Sequence, residues 1–564
     1  MRNTLLLGLL VAATIPHLAS AQGGPPPPPP PPNGGPLPSP PPAPAGNLNS
    51  PNKINLGKVL FWDEQLSATS TMACGSCHIP NAGGSDPRTA AQPTSARHAG
   101  PDGTLLTADD ILGSPGVVRG LDTDTFTLDP AFRLERQVTG RRAMTTINSA
   151  YVPLLFWDGR ANGTFEDPVT GVLLLNGGAA LESQAAGPVV SGVEMGHDGV
   201  DWTSVAARIA PLAPLRLSPN VPAVLANYIN GRSYEQLFLE AFGTAGVTPA
   251  RIAMAIATYE RTLIANQAPI SQVPGSPGAA LTPLENQGRQ IFGGIGRCNV
   301  CHGGPFLTDN NFHYTGIRPQ NDDLGRFNVT GNIADRGRMR TPTLLNVESR
   351  APYFHNGRFA TLEEVVDFYD RGGDFNAPNK SPAVAPIGLT PAQKTALVAF
   401  LKRPLNDPRV AAQTAPFDRP VLYAESVRTP DPIGVGTAGT GGFVPQIVAL
   451  EPAHFENASW TVGIDRGNAG KTAILLVGSF GNNIGVPFQG AQLYVDWANS
   501  LTKRIRYGAL NGAGAGQGWA SIDVDLGQDP LLIGWPLYAQ WVVVDPDGLG
   551  RRLSASQAVE MTIF

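Results

Sequence analysis

All four cysteines of this chain sit in two five-residue words, Cys74-Gly75-Ser76-Cys77-His78 and Cys298-Asn299-Val300-Cys301-His302. Each is C-x-x-C-H, the attachment signal of a c-type haem. Two thioethers tether the porphyrin vinyl groups, and the adjacent histidine is held where its ring can ligate iron. Redox-active disulfides or one shared zinc site would also use paired cysteines, but a disulfide does not need a histidine after both pairs. The two words therefore predict two covalently bound haems c. Cys74, Cys77, Cys298 and Cys301 are the tethers, and His78 and His302 are the metal ligands.

Short capped helices surround these words. Thr282-Pro283-Leu284-Glu285 reads as an N-cap, a proline at the first helical position and an acid at the third, leading through Ile291 and Phe292 to Cys298. Thr248-Pro249 and Thr390-Pro391 open two more, the latter with the apolar face Leu397-Val398-Phe400-Leu401. The start Met1-Arg2-Asn3, the apolar run Leu5 to Ile15 and Ala19-Ser20-Ala21 read as a signal peptide over residues 1–21. The expected location is therefore exported, periplasmic or extracellular. No later stretch is long and apolar enough to span a bilayer. Residues 22–49 read as a Pro/Gly-rich linker, with eight consecutive prolines at 25–32 in extended polyproline II. A formal net charge of -5 argues against a large basic surface, so no nucleic-acid partner is expected.

Further stretches carry a resemblance. These are Leu56-Gly57-Lys58-Val59-Leu60-Phe61, Phe156-Trp157-Asp158-Gly159-Arg160, Glu194-Met195-Gly196, Thr341-Pro342-Thr343-Leu344-Leu345-Asn346 and Pro352-Tyr353-Phe354-His355-Asn356-Gly357. With the two haem words, residues of about 50–410 resemble the bacterial di-haem cytochrome c peroxidase and MauG family. The resemblance implies a peroxidatic first haem with His78 as proximal ligand, and an electron-transfer second haem with His302. Glu194 matches the acidic distal residue, Gln184 the distal glutamine, and Trp157 the tryptophan between the haems. The chemistry agrees independently: cleaving the O–O bond requires a proton moved from one peroxide oxygen to the other, and a carboxylate within reach can move it.

At the place where typical peroxidases of this family carry a methionine on the second haem, the chain has Tyr369. That resembles the MauG branch, where tyrosinate is the ligand. Met339 is the rival. A hard anionic oxygen favours ferric iron, whereas methionine raises the potential. Where reductively activated members carry a distal histidine, near Phe132-Arg133-Leu134, there is none. His98 reads as a solvent residue that could swing in, so the first haem is expected to be open. His197 could line the distal side, and His313 could contact a haem propionate. The family usually binds Ca²⁺ between the haems, and here Arg142 stands at the asparagine position and Arg350 and Pro352 at the carbonyl positions. A guanidinium cannot ligate Ca²⁺. Arg142 could replace the ion's charge or Asn148 could supply a ligand, and the sequence leaves both open.

From about Asp418 the texture changes to Gly-, Thr- and Pro-rich chain and then to short β-rich runs with Asn-Gly and Asp-Gly turns. The predicted fold class is mainly α, with two cytochrome c-like haem domains followed by an all-β sandwich-like C-terminal domain. The predicted domains are 50–280 and 281–415 for the haems, a linker at 416–443 and the β-sandwich accessory domain at 444–564. The expected function is a peroxidase-like oxidoreductase that reduces H2O2 with electrons from an external donor, such as a small cytochrome or a cupredoxin. One alternative is a MauG-like oxidase that modifies a partner protein. The other is a non-enzymatic exported electron carrier.

Overall fold

The structure, a computed structural model, describes residues 34–121, 125–272, 281–455, 457, 459–498, 503–527, 529–546 and 552–564. The predicted signal peptide and the eight-proline run lie outside them. Four helices frame the haem half: α1 (Pro51–Trp62), α2 (Pro249–Glu260), α3 (Pro283–Gly293) and α4 (Pro391–Leu401). Each starts with proline after a serine or threonine whose hydroxyl accepts a backbone N–H of the first turn, which satisfies one of the donors a helix start leaves open.

These helices form the same crossing twice. α1 packs on α2 through Gly57, where a Cβ would come within 1.9 Å of the Ala255 carbonyl oxygen. α3 packs on α4 through Gly288, where a Cβ would come within 1.9 Å of the Ala396 carbonyl oxygen. Each crossing is closed by an edge-on aromatic pair, Phe61–Tyr259 at 5.3 Å and Phe292–Phe400 at 5.2 Å. Each haem word thus follows a helix whose contact face is one glycine wide, set in its own apolar core.

Two segments expected as linkers are instead packed. Gly34 N–H donates to the Gly304 carbonyl (3.2 Å) and Gly35 N–H to that of Ile270 (3.0 Å). The Tyr151 hydroxyl donates to the Pro38 carbonyl, and buried Asn47 donates to Glu182 and the Met254 carbonyl. Residues 34–49 therefore strap the two haem units together. Beyond them, Phe417 and Leu422 enter the core of the first haem unit, and the backbone N–H of Tyr423 donates to Glu64. Proline-rich chain can pack like this because an extended backbone leaves its carbonyls free to accept. Thr164–Glu166 and Leu173–Asn176 form a surface hairpin pinned to the core by Phe165 and Leu175.

The C-terminal strands are β1 (Asp431–Ile433), β2 (Gln446–Val448), β3 (Trp460–Asn468), β4 (Thr472–Gly478), β5 (Gly481–Phe488), β6 (Ala491–Val495), β7 (Lys503–Ala509), β8 (Ala515–Val524), β9 (Pro536–Val544) and β10 (Leu553–Thr562). They pair as antiparallel sheets of order β2-β3-β8 and β7-β4-β9-β10-β1, with β5-β6 as a hairpin. Strand β1 lies inside the expected 416–443 linker. Alternate residues Trp460, Val462 and Ile464 share a core with Leu475, Trp541 and Val543 of the other sheet, as the two-residue period of a strand requires. Trp460 and Trp541 are core residues, whereas Trp535 is exposed. The other face of β3 meets the first haem unit, where Gly463 leaves room for Phe126 and Leu134.

Candidate active site

The first haem word forms one helical turn, Cys74–Cys77. Its second residue has to be small, because a Cβ on Gly75 would come within 2.2 Å of the Trp62 ring. The second word is a 3-10 turn, Cys298–Val300, running into Cys301. All four thiols are unbridged, and burial pushes those of Cys77 and Cys298 up to about 12. The two histidines are held alike. His78 Nδ1 is 3.0 Å from the Gly84 carbonyl oxygen, and His302 Nδ1 is 3.0 Å from that of Leu307. A carbonyl only accepts, so Nδ1 carries the proton and the Nε2 lone pair is left for a metal. Burial lowers both imidazole pKa values, that of His302 to about 4, so both rings stay neutral.

A cavity of about 450 Å³ opens over the first word. Cys74, Cys77 and His78 line it together with Gln184, Glu194 and Trp157. Gln184 comes from the helix Ala180–Ala185. Glu194 follows a turn that packs on Gly116, where a Cβ would meet the Val193 carbonyl at 1.9 Å. Burial raises the Glu194 pKa, while a bond from Ser191 and the charge of Arg160 pull it back. Arg160 lies 3.5 Å over the Phe156 ring. Trp157 lines this cavity and a second one of about 70 Å³ shared with Phe354 and Tyr353. Its indole N–H donates to the Arg142 carbonyl at 2.8 Å, and its ring stands edge-on to His355 at 6.0 Å.

Tyr369 is carried on the helix Leu362–Asp370, whose Thr361–Glu364 capping box is in place. Burial pushes its phenol well above the usual tyrosine range. Phe354 and Phe368 pack against it at 6.0 and 5.0 Å. Met339 is also buried and pairs across a two-residue ribbon with His313. His313 binds Asp309 at 2.8 Å, which raises its pKa to about 10.

The walls suit two haems on grounds besides the ligands. Arg142, Arg340 and Arg350 are buried, and burial lowers each to about 10. Arg142 Nη1 and Arg350 Nε have no hydrogen-bond partner. Such orphaned donors fit carboxylates like haem propionates. One residue of the wall escapes sequence reasoning. Glu260 lines the cavity at the end of an otherwise apolar helix, its Oε2 unpartnered and its pKa raised by burial to about 8. His98, expected in solvent, is half-buried in the same wall. His197 is buried against Gly120, with Nδ1 3.1 Å from the Leu121 carbonyl oxygen.

Two c-type attachment words, one of them beside a cavity that Glu194 and Gln184 also line, are the marks of a di-haem oxidoreductase. Residues 51–275 match the family model of the di-haem cytochrome c peroxidases. The cytochrome-c peroxidase IdrP1 of Pseudomonas sp. (strain SCT) is 28% identical over 65% of this chain and 86% of its own. The methylamine utilization protein MauG of Methylorubrum extorquens is 27% identical over 64% of this chain and 80% of its own. The crystal structure of a MauG-like protein associated with microbial copper homeostasis is 26% identical, covers 68% of this chain and 97% of its own, and has a TM-score of 0.48. The matched family carries two c-type haems and uses H2O2 as oxidant. No helix among the described residues is long and apolar enough to cross a membrane.

Proposed function

We propose that this peroxidase-like oxidoreductase reduces H2O2 in the cavity over His78, giving two waters for two electrons and two protons. The observation that carries this reading is Glu194 and Gln184 in one cavity with a histidine whose Nδ1 is held by the Gly84 carbonyl. The haem held by Cys74, Cys77 and His78 supplies the iron that binds peroxide and exchanges electrons with it. Glu194, as carboxylate, takes a proton from one peroxide oxygen and returns it to the departing one. The Gln184 amide orients the peroxide by hydrogen bonding. Trp157 gives electrons an aromatic step between the two haem units.

Tyr369 is the proposed sixth ligand of the second haem, ahead of Met339, because its phenol lies among Cys298, Cys301 and two phenylalanines. A buried phenol with a raised pKa ionises only against a strong cation, and the resulting ligand favours ferric iron. This supports the second reading, a MauG-like oxidation of a partner protein, beside simple turnover with a small cytochrome or cupredoxin. The haem domains are assigned to about 50–280 and 281–415, and the chain to an exported location. Ca²⁺ is not part of the proposal. The Arg142 guanidinium donates to the Ala351 carbonyl at 2.8 Å, and Asn148 Oδ1 is taken by the N–H of Ala265 at 2.9 Å.

Low-temperature EPR of the diferric protein tests the assignment. One high-spin and one low-spin signal are expected, the low-spin signal being lost or altered in Tyr369→Phe. Two low-spin signals unaffected by the substitution would refute both the open first haem and the tyrosine ligand. Steady-state H2O2 turnover with reduced cytochrome c separates the two readings. Negligible turnover beside an intact high-spin signal selects protein oxidation.

A further inference from the structure

Phe132 stands at the tip of a tight turn beside the cavity. Asp129 and Arg133 exchange both backbone hydrogen bonds, at 2.9 and 2.8 Å. Asp129 Oδ1 accepts the N–H groups of Ala131 and Phe132, each at 2.8 Å. Arg133 takes a left-handed φ of 57°, which a side chain with a Cβ adopts only where its surroundings hold it.

What holds it belongs to the C-terminal sandwich. Arg133 Nε donates to Asp465 Oδ2 at 2.9 Å, Nη2 to Asp465 Oδ1 at 2.6 Å, and Nη1 to Gln517 Oε1 at 2.7 Å. The Asp465 side chain is 3% exposed, so this forked pair is poorly screened. Beside it Phe126 and Leu134 pack on Val448, Leu450 and Trp519, and the Phe126 N–H donates to the Ser521 hydroxyl at 3.0 Å. On the other side of the turn, the Phe132 ring faces His98 with centroids 6.0 Å apart, and both half-buried rings line the cavity. His98 Nδ1 accepts the N–H of Gly100 at 3.1 Å. In the neutral ring, Nε2 then carries the proton and is a donor rather than an iron ligand.

We propose that Arg133 is a positioning residue: through it the C-terminal sandwich holds the Phe132–His98 rim of the haem cavity and sets the size of ligand that reaches the first iron. The proposal rests on the reading of that cavity as the peroxide site.

The test is stopped-flow binding of cyanide and of imidazole to the ferric full-length holoprotein. In Arg133→Ala and Asp465→Asn, imidazole association is expected to rise about tenfold relative to cyanide. Phe132→Ala, which leaves the ion pair intact, should raise the same ratio, and Arg133→Lys should restore part of it. An unchanged ratio in Arg133→Ala and Phe132→Ala overturns the proposal, even if Tm falls. A wild-type protein that binds neither ligand would instead refute the open-haem reading. The clamp is then judged by hydrogen exchange: faster exchange at 125–135 in Arg133→Ala supports it, and unchanged exchange overturns it.

Discussion

Two buried carboxylates in the first cavity titrate with different consequences. In the proposed chemistry Glu194 acts as a carboxylate, and burial raises its pKa. kcat/KM for H2O2 should therefore fall as pH drops through that raised value, with an acid limb above the ordinary carboxylate range. In Glu194→Gln the limb disappears and the rate drops by about 10²–10⁴-fold. Stopped-flow rates against pH check this, and an unaltered profile would remove Glu194 from the chemistry. Glu260 bears on stability. The folded state keeps its proton up to about pH 8, whereas a free glutamate loses it near 4.5. Its contribution is therefore full below pH 4.5 and lost as pH rises to about 8. Glu260→Gln should raise Tm by a few degrees at pH 8 and above, with the gain vanishing towards pH 4.5. Equal melting curves at both ends would contradict the burial argument. Glu194 was legible because a short motif surrounds it. Glu260 was not, because one acid at a helix end looks like a solvated residue until its cavity is seen.

At the scale of the elements, the repeated helix crossing makes a paired prediction. Alanine at Gly57 or Gly288 would drive a Cβ into a backbone carbonyl oxygen that cannot swing aside. Each change should cost at least about 1–3 kcal/mol and lower haem content in its own unit. Thermal melts with haem quantitation by absorbance check this, and a fully loaded, equally stable Gly57→Ala protein would show that the helices can separate. The capped helix starts could be read beforehand because cap, proline and acid lie within one turn. The glycine crossing could not, since α1 and α2 are joined only by the fold. The same holds for Arg133 and Asp465, which are 332 residues apart.

At the scale of the molecule, three buried arginines lie near one another. Arg142 reaches the Ala351 carbonyl, while Arg340 and Arg350 are buried nearby without a carboxylate partner. A divalent cation placed among them would be repelled. Dialysis against a chelator should leave the EPR spectrum and H2O2 turnover unchanged. A loss restored by Ca²⁺ would show that a cation sits there after all. The accessory domain was legible as β-rich sequence, but its seat on the first haem unit was not, because the contact residues Phe126, Leu134 and Trp519 read as ordinary core.

The strap of residues 34–49 adds a condition on assembly. Its carbonyl partner at Gly304 belongs to the second haem unit, made after the first, so the seat for Gly34 does not exist until that later unit has formed. A segment that precedes both haem words thus becomes the closing latch of maturation, and its protection from protease reports that both halves are complete.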